Sequence, residues 1–287
     1  MSRNRLLLPA TAKQPKGKHR FPTNNDPWRP LNSNYTGQEN LGWIATCPGV
    51  FAQPAPDSAA LDALLVRIKA SAMRYQGHLP DFTCTEVTVR KEDRSGNGAN
   101  WRTLDTLEES FSFASSGRVS KTLVKKNGRP TTGNKPGGLI ENALLSGAIV
   151  PRGLFGAKAQ PKFDWDHWEA RSEHRIAVFA YQAVGENYPD GKTRYELKVT
   201  GRIVFDDTAG ALVRTESSSV GPPGYPFGEV RVETYYAPVS ISDRELILPT
   251  KAVMTTVRGK RRYQSEIQFS GYRKYQADTT IRFDDGR

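Results

Sequence analysis

The residues of this chain best equipped for chemistry lie close together: Asp164, Asp166, His167, Glu169, Glu173 and His174. Carboxylates and imidazoles at that density are the donor set of a metal site. Their spacing argues otherwise. On a strand, Asp164 and Asp166 share one face and His167 points to the other. His167 and His174 flank a turn and could approach across it. Trp165 and Trp168 read as the packing residues of a hairpin whose charges face water. No structural zinc is expected here.

Other chemical signatures are missing. The chain has no GxSxG and no HExxH. Gly96-Asn97-Gly98 lacks a third glycine and sits in a polar turn, so it is not a dinucleotide loop. Glu108 and Glu109 are adjacent and diverge on a strand, so they make no acid/base pair. The two cysteines, Cys47 and Cys84, form no CxxC, and the four histidines are scattered. Catalytic groups need not adjoin in sequence, but no pattern here supports an enzyme. No catalytic residue, cofactor or metal is assigned.

The elements around these residues follow period two. In YELKVTGRIVFD (Tyr195–Asp206) the odd positions are apolar and the even ones mostly polar, as in a strand with one wet and one greasy face. Strands are also predicted over Phe82–Arg90, Leu107–Ser115, Val119–Lys126, Trp165–Arg171, Arg175–Val184, Ala211–Ser218, Glu229–Tyr236, Leu246–Val257 and Arg262–Tyr275. Asn127-Gly128 is a hairpin turn, and Tyr188–Gly191 a further turn. One helix precedes the strands, with apolar Leu61, Leu64, Leu65, Ile68, Ala72 and Met73 at amphipathic spacing, Asp57 or Ser58 as cap, and His78-Leu79-Pro80 as stop. Pro136–Ala157, apolar with glycine interruptions, reads as one or two short helices inserted between hairpins to cover an open sheet face.

The 287 residues divide into a disordered basic region, 1–56, with a signal remnant, and one domain, 57–287. Residues 1–52 carry seven Lys/Arg against Asp26 and Glu39, a net +5 of the total +11. The body's remaining basic residues mostly alternate with Glu, Asp and Thr along strands, the mark of a solvated sheet face, so no nucleic-acid partner is expected. No stretch approaches the roughly 20 apolar residues of a membrane helix. Val50-Phe51-Ala52 before Gln53 fits a signal-peptidase site, although the apolar run is short and the region before it long; a misplaced start codon would reconcile both. The expectation is a mature chain starting near Gln53, in the periplasm or secreted. Cys84 would then be a free thiol, facing with Phe82 into the packed side. The same alternation also brings Glu86 to that side, against its burial.

The chain carries LPDFTC at Leu79–Cys84, then Trp101, Leu104 and Asp105, an Asn-Gly-x-Pro turn at Asn127, Gly128 and Pro130, and Phe155-Gly156. In these residues, and in its order of helix, antiparallel meander and helical insert, it resembles the bacterial lipoprotein-carrier (outer-membrane lipoprotein-sorting) superfamily, and more closely uncharacterised exported bacterial proteins of that type. The likeness covers roughly Asp57 to Asp284. The body is longer than a typical carrier, and no functional residue of the carriers can be mapped onto it. The resemblance implies a mainly β (α+β) fold: a curved antiparallel sheet or unclosed β-barrel, with an N-terminal helix and short helices on the concave face.

Two functions follow from one greasy face. In the first, a non-enzymatic envelope protein binds an apolar ligand, a lipid or lipoprotein acyl chains. The cavity would be lined by Leu197, Val199, Ile203, Phe205, Phe111, Phe113, Ile267, Phe269, Leu139 and Leu144, with Ile140, Leu64, Leu65 and Ile68 against them. In the second, the core is filled and the domain is structural or binds a protein. Large antiparallel half-barrels with few helices tend to leave a mouth, which favours the first. The expected protein is a monomer, peripheral to a membrane at most.

Overall fold

The computed structural model describes residues 54–116, 118–131, 154, 161–171, 174–187 and 192–275. Helix α1 (Ser58–His78) opens this part of the chain. Asp57 is its cap: the backbone there is extended, and Oδ1 accepts from the Ala60 N–H at 2.8 Å. That supplies one of the acceptors the first turn lacks. Leu79, held extended by the proline after it, ends the helix. No helix among the described residues is long and apolar enough to cross a membrane.

Among the described residues eleven strands follow: β1 (Phe82–Asp93), β2 (Arg102–Phe113), β3 (Val119–Lys126), β4 (Arg129–Pro130), β5 (Lys162–Arg171), β6 (His174–Asn187), β7 (Tyr195–Asp206), β8 (Ala211–Val220), β9 (Glu229–Ile241), β10 (Arg244–Arg258) and β11 (Arg261–Lys274). They form one antiparallel sheet in the order β4-β3-β2-β1-β11-β10-β9-β8-β7-β6-β5. Among the described residues the fold is mainly β with the one helix α1, and the sheet does not close: β4 and β5 are its outer edges. Two meanders, β1–β4 and β5–β11, are joined where the first strand pairs with the last.

The turns explain the register. Asn127 and Gly128 both have positive φ, 52° and 75°, as a two-residue I′ hairpin requires. Lys126 consequently pairs with Arg129. A second tight turn, Ser242-Asp243, lacks a glycine signal, yet Ser242 takes φ 58°. It lets β9 and β10 run longer than their hydrophobic pattern alone suggests. The predicted turn Tyr188–Gly191 and the insert Pro136–Ala157, Leu154 apart, lie outside the described residues.

Paired residues share a sheet face, so one row can be followed across the sheet. It runs Trp165, Phe179, Ile203, Thr215, Thr234, Ala252, Ile267, Thr88, Leu107. Two clusters flank its centre. One joins Phe82, Cys84, Phe111, Phe113, Leu248, Ala252, Met254, Ile267 and Phe269 with Leu79. The other joins Leu64 and Ile68 of α1 to Ala177, Phe179, Tyr181, Ile203 and Phe205. Burying Leu64 and Ile68 stabilises the docked helix by about 1.5–3 kcal/mol each, before the loss of side-chain entropy. On the opposite face Ile176, Val178 and Val204 form a third, smaller cluster, so β6 and β7 are buried on both sides.

Candidate functional site

The register places Leu197, Val199, Ile203, Phe205, Phe111, Phe113, Ile267 and Phe269 on the same sheet face. All are buried except Val199, which is half-buried. They do not form one group. Phe111, Phe113, Ile267 and Phe269 belong to the cluster around β1 and β2, while Ile203 and Phe205, with Val199 at the margin, belong to the cluster under α1. Leu197 is buried outside both. Of the α1 residues, Leu64 and Ile68 are buried and Leu65 packs at the margin of the second cluster. Leu139, Ile140 and Leu144 lie outside the described residues.

Beside the aromatic cluster of β1 and β2 this face carries three charged side chains, and further along it Arg90 pairs with Asp105 at 2.6 Å. Glu86 of β1 and Glu109 of β2 are register partners, each flanked along its strand by buried residues. Like charges directly opposite on one face repel. Lys121 of β3 lies between them: its Nζ is 2.7 Å from Glu86 Oε1 and 2.7 Å from Glu109 Oε2. The side chains of Glu86, Glu109 and Lys121 are 1%, 0% and 4% exposed. Thr88 Oγ1 donates to Glu86 Oε1 at 3.1 Å.

One ammonium does not satisfy two carboxylates. Glu86 Oε2 and both oxygens of Glu109 accept no hydrogen bond of good geometry, so the close Lys121–Glu109 approach is an ionic contact off the hydrogen-bond axis. An unsatisfied buried acceptor costs about 1–3 kcal/mol, and more when charged. Burial, reinforced by Glu109, holds the Glu86 carboxyl above its ordinary value in spite of Lys121. Burial alone would lower Lys121; the two carboxylates more than offset this, and the ammonium is held above its ordinary value. Cys84, next along the face from Glu86, is unpaired and buried, its thiol pushed up to about 12 by burial and by the Glu86 charge. It is a packing residue, not a nucleophile. The doubt that Glu86 cast on Cys84 resolves in this way: both are inside, and Lys121 makes that tolerable.

The pattern reading missed this triad although each member was readable. Lys121 alternates with Val119 and Leu123, and Glu109 with Leu107 and Phe111. Glu108 and Glu109 do diverge, Glu108 turning out to meet Lys125 at 2.8 Å. The pairing of Glu109 with Glu86 depends on strand register, which no single strand reveals.

At the other edge, the acidic and histidine residues of β5 and β6 are spent on neighbours. Plain alternation fails here. A bulge between Trp165 and His167 turns Trp165 and Trp168 to the same side, their rings 4.8 Å apart, and leaves His167 beside Asp166 rather than away from it, Nδ1 to Oδ1 3.2 Å. Asp166 takes a hydrogen bond from Arg202, which holds its carboxyl below the usual range. His174 Nδ1 lies 2.6 Å from Asp206 and, at the hairpin end opposite Arg171, does not meet His167. Asp164 contacts Lys162 at 3.5 Å, and Glu173 is outside the described residues. Among the described residues no three His, Cys, Asp or Glu gather as metal ligands.

Two hollows are lined by described residues. One of about 520 Å³ lies at the start of α1 between Pro54, Arg67, Trp168 and Arg175, where both arginines pair with Asp207. Another, of about 770 Å³, crosses β6–β11 and is lined by Arg202, Glu216, Arg231 and Glu233 among other polar groups. Arg202 and Glu216 face each other there at 3.8 Å.

No protein-family model matches the chain, and no curated protein sequence matches it. Among solved structures, it is similar to a putative outer-membrane lipoprotein-sorting protein domain from Vibrio parahaemolyticus, at 10% identity and a TM-score of 0.30, over 78% of this chain and 94% of that one. It is also similar to a DUF1329 family protein from Desulfovibrio piger, at 9% identity and a TM-score of 0.32, over the same shares.

Proposed function

We propose that this chain is a non-enzymatic binding module of the cell envelope that holds an apolar ligand, a lipid or the acyl chains of a lipoprotein, against the apolar face of its unclosed sheet. The observation that carries this reading is the extent of that face. It runs from Trp165 in β5 to Leu107 in β2. The only described helix packs on the β6–β7 end of it. Leu197, Val199, Ile203, Phe205, Phe111, Phe113, Ile267 and Phe269 are the lining in this reading, with Leu139 and Leu144 from the insert. The protein acts as a monomer in the periplasm or outside the cell, at most peripheral to a membrane and without nucleic acid.

The second reading is a filled core in a structural or protein-binding domain. Close ring packing favours it: Phe82 stacks on Phe113 at a centroid distance of 5.2 Å. Val199→Phe separates the two. Val199 is half-buried and its Cγ2 sits over Gly185. In a ligand site the larger ring abolishes binding of a neutral fluorescent naphthylamine dye and leaves the melting temperature nearly unchanged. In a filled core it overpacks, costs about 1–3 kcal/mol, and the wild type binds no dye.

A further inference from the structure

The charged triad deepens the reading just given, and rests on it. Its three side chains lie on the apolar face itself, between Cys84 and Thr88 on β1 and between Leu107 and Phe111 on β2. Counted as ions, two carboxylates and one ammonium leave this patch one negative charge in excess. Its hydrogen bonding is unbalanced in the same sense. Lys121 reaches both glutamates and Thr88 serves Glu86 Oε1. Glu86 Oε2 and Glu109 Oε1 are left with no donor, on side chains 1% and 0% exposed. The triad's side-chain atoms left without any partner are all acceptors.

A ligand complementary to this patch supplies donors and positive charge. An acyl chain alone offers neither, and a carboxylate or phosphate head would add negative charge to negative charge where screening is weak. An ammonium has three N–H donors and one positive charge, and so matches both deficits. The rings of Phe82, Phe111 and Phe113 beside the triad, in one buried cluster, suit the chain that carries it. We propose that Glu86, Lys121 and Glu109 are the polar anchor of the apolar site and select an amphiphile with a primary ammonium head. Lys121 has a positioning role. It holds two facing carboxylates apart and limits the excess to a single charge, which suits a monocation.

The test uses the full chain at neutral pH and three ligands of one chain length, dodecylamine, dodecanol and dodecanoate, each below its micellar concentration and followed by calorimetry. Dodecylamine is expected to bind at least about tenfold tighter than dodecanoate, since one charge-assisted hydrogen bond gained instead of a repulsion is on the order of a decade in affinity. Glu109→Gln should reduce that preference to about threefold or less, as expected when the carboxylate charge is removed and the amide keeps the shape. Glu86→Gln repeats the measurement should Glu109→Gln fail to fold by circular dichroism. Equal binding of all three ligands by the wild type, or tighter binding of dodecanoate, overturns the anchor and leaves the apolar site standing. If none of the three binds, the apolar site itself falls. An amine preference that survives both substitutions also overturns the assignment.

Discussion

The two ends of one sheet face were built from the same alternation and came out differently. Under α1, Phe179, Ile203, Phe205, Leu64 and Ile68 make an apolar contact of sheet on helix. Around β1, β2 and β3, the same inward positions interleave Phe82, Phe111 and Phe113 with Glu86, Glu109 and Lys121. The first arrangement follows from transferring apolar surface out of water. The second cannot, because buried ion pairs seldom add net stability over a hydrophobic replacement. Its use lies elsewhere than net stability, in fixing the register of β1, β2 and β3 or in anchoring a ligand. The contrast therefore separates a part of the face that docks a helix from a part that keeps charge inside.

The sharpest way to break the comparison is to take out the shared partner. Lys121→Met leaves two facing buried carboxylates and should cost about 3–5 kcal/mol in urea unfolding. Replacing all three, Glu86→Leu, Lys121→Met and Glu109→Leu together, makes this end resemble the other and should return stability to at least the wild-type level. A triple variant as unstable as Lys121→Met alone would mean that the triad contributes to holding β1, β2 and β3 in register.

A pH series sharpens the same point with a smaller effect. Burial holds the Glu86 carboxyl above its ordinary 4.5. A raised folded-state value means that the folded protein favours the proton. The stability this contributes is full below pH 4.5 and lost as pH rises through the higher folded value. Glu86→Gln, which cannot ionise, should lack this loss. The wild type should therefore fall relative to the variant as pH is raised upward from 4.5, read as the difference in urea midpoints. A difference that stays flat would show Glu86 fully compensated.

These expectations depend on register, and that is where the sequence was hardest to read. The bounds of Tyr195–Asp206 were legible to the residue, because its alternation holds as far as Ile203 and Asp206–Gly210 ends it. The Asn127-Gly128 turn was legible because only a few residue types accept positive φ in succession. Nothing within β1 or β2 says that Glu86 meets Glu109, since alternation gives a face and not a partner. The β5 bulge was invisible for a related reason: one extra residue inverts every later assignment, and only the partner strand reveals it. Val204, placed by alternation on the wet face, is buried with Ile176 and Val178 because β6 and β7 are covered on both sides. Of the ten lining residues chosen from the sequence, the eight described ones share a face, but seven of them divide between two clusters and Leu197 belongs to neither. The pattern showed where grease points, not how it groups.

On the α1 side, the glycine in the apolar face of β7 offers a smaller disturbance. Gly201 pairs with Tyr181, whose hydroxyl donates to Glu216 O at 3.1 Å. A Cβ at Gly201 would come within 2.6 Å of that hydroxyl and 2.7 Å of the ring, and would also strike the Glu216 carbonyl. The carbonyl belongs to the β8 ladder and cannot retreat. Gly201→Ala should cost about 1–3 kcal/mol by overpacking, seen as a lower melting temperature. Tyr181→Phe/Gly201→Ala tests the cause: if the hydroxyl contact dominates, the double variant regains part of the loss.

The smallest expected effect bears most directly on whether the two ends are independent. Asp57 caps α1 through its bond to the Ala60 N–H, and α1 docks on β6 and β7 through Leu64 and Ile68. Asp57→Ala removes one cap and should cost about 1 kcal/mol, within the roughly 0.5–2 kcal/mol range of such losses. Global unfolding will barely register it, but native-state hydrogen exchange resolves local opening. If α1 serves only its own end, exchange should quicken in α1 and in the β6 and β7 amides around Phe179 and Ile203. The amides of β1 and β2 around Glu86 and Glu109 should keep their wild-type rates. The row that joins the ends passes through Thr215, Thr234 and Ala252, whose short side chains transmit less packing strain than the rings on either side. Faster exchange at both ends would show that the helix and the triad respond as one unit, and that a ligand anchored at Glu109 would be felt by α1.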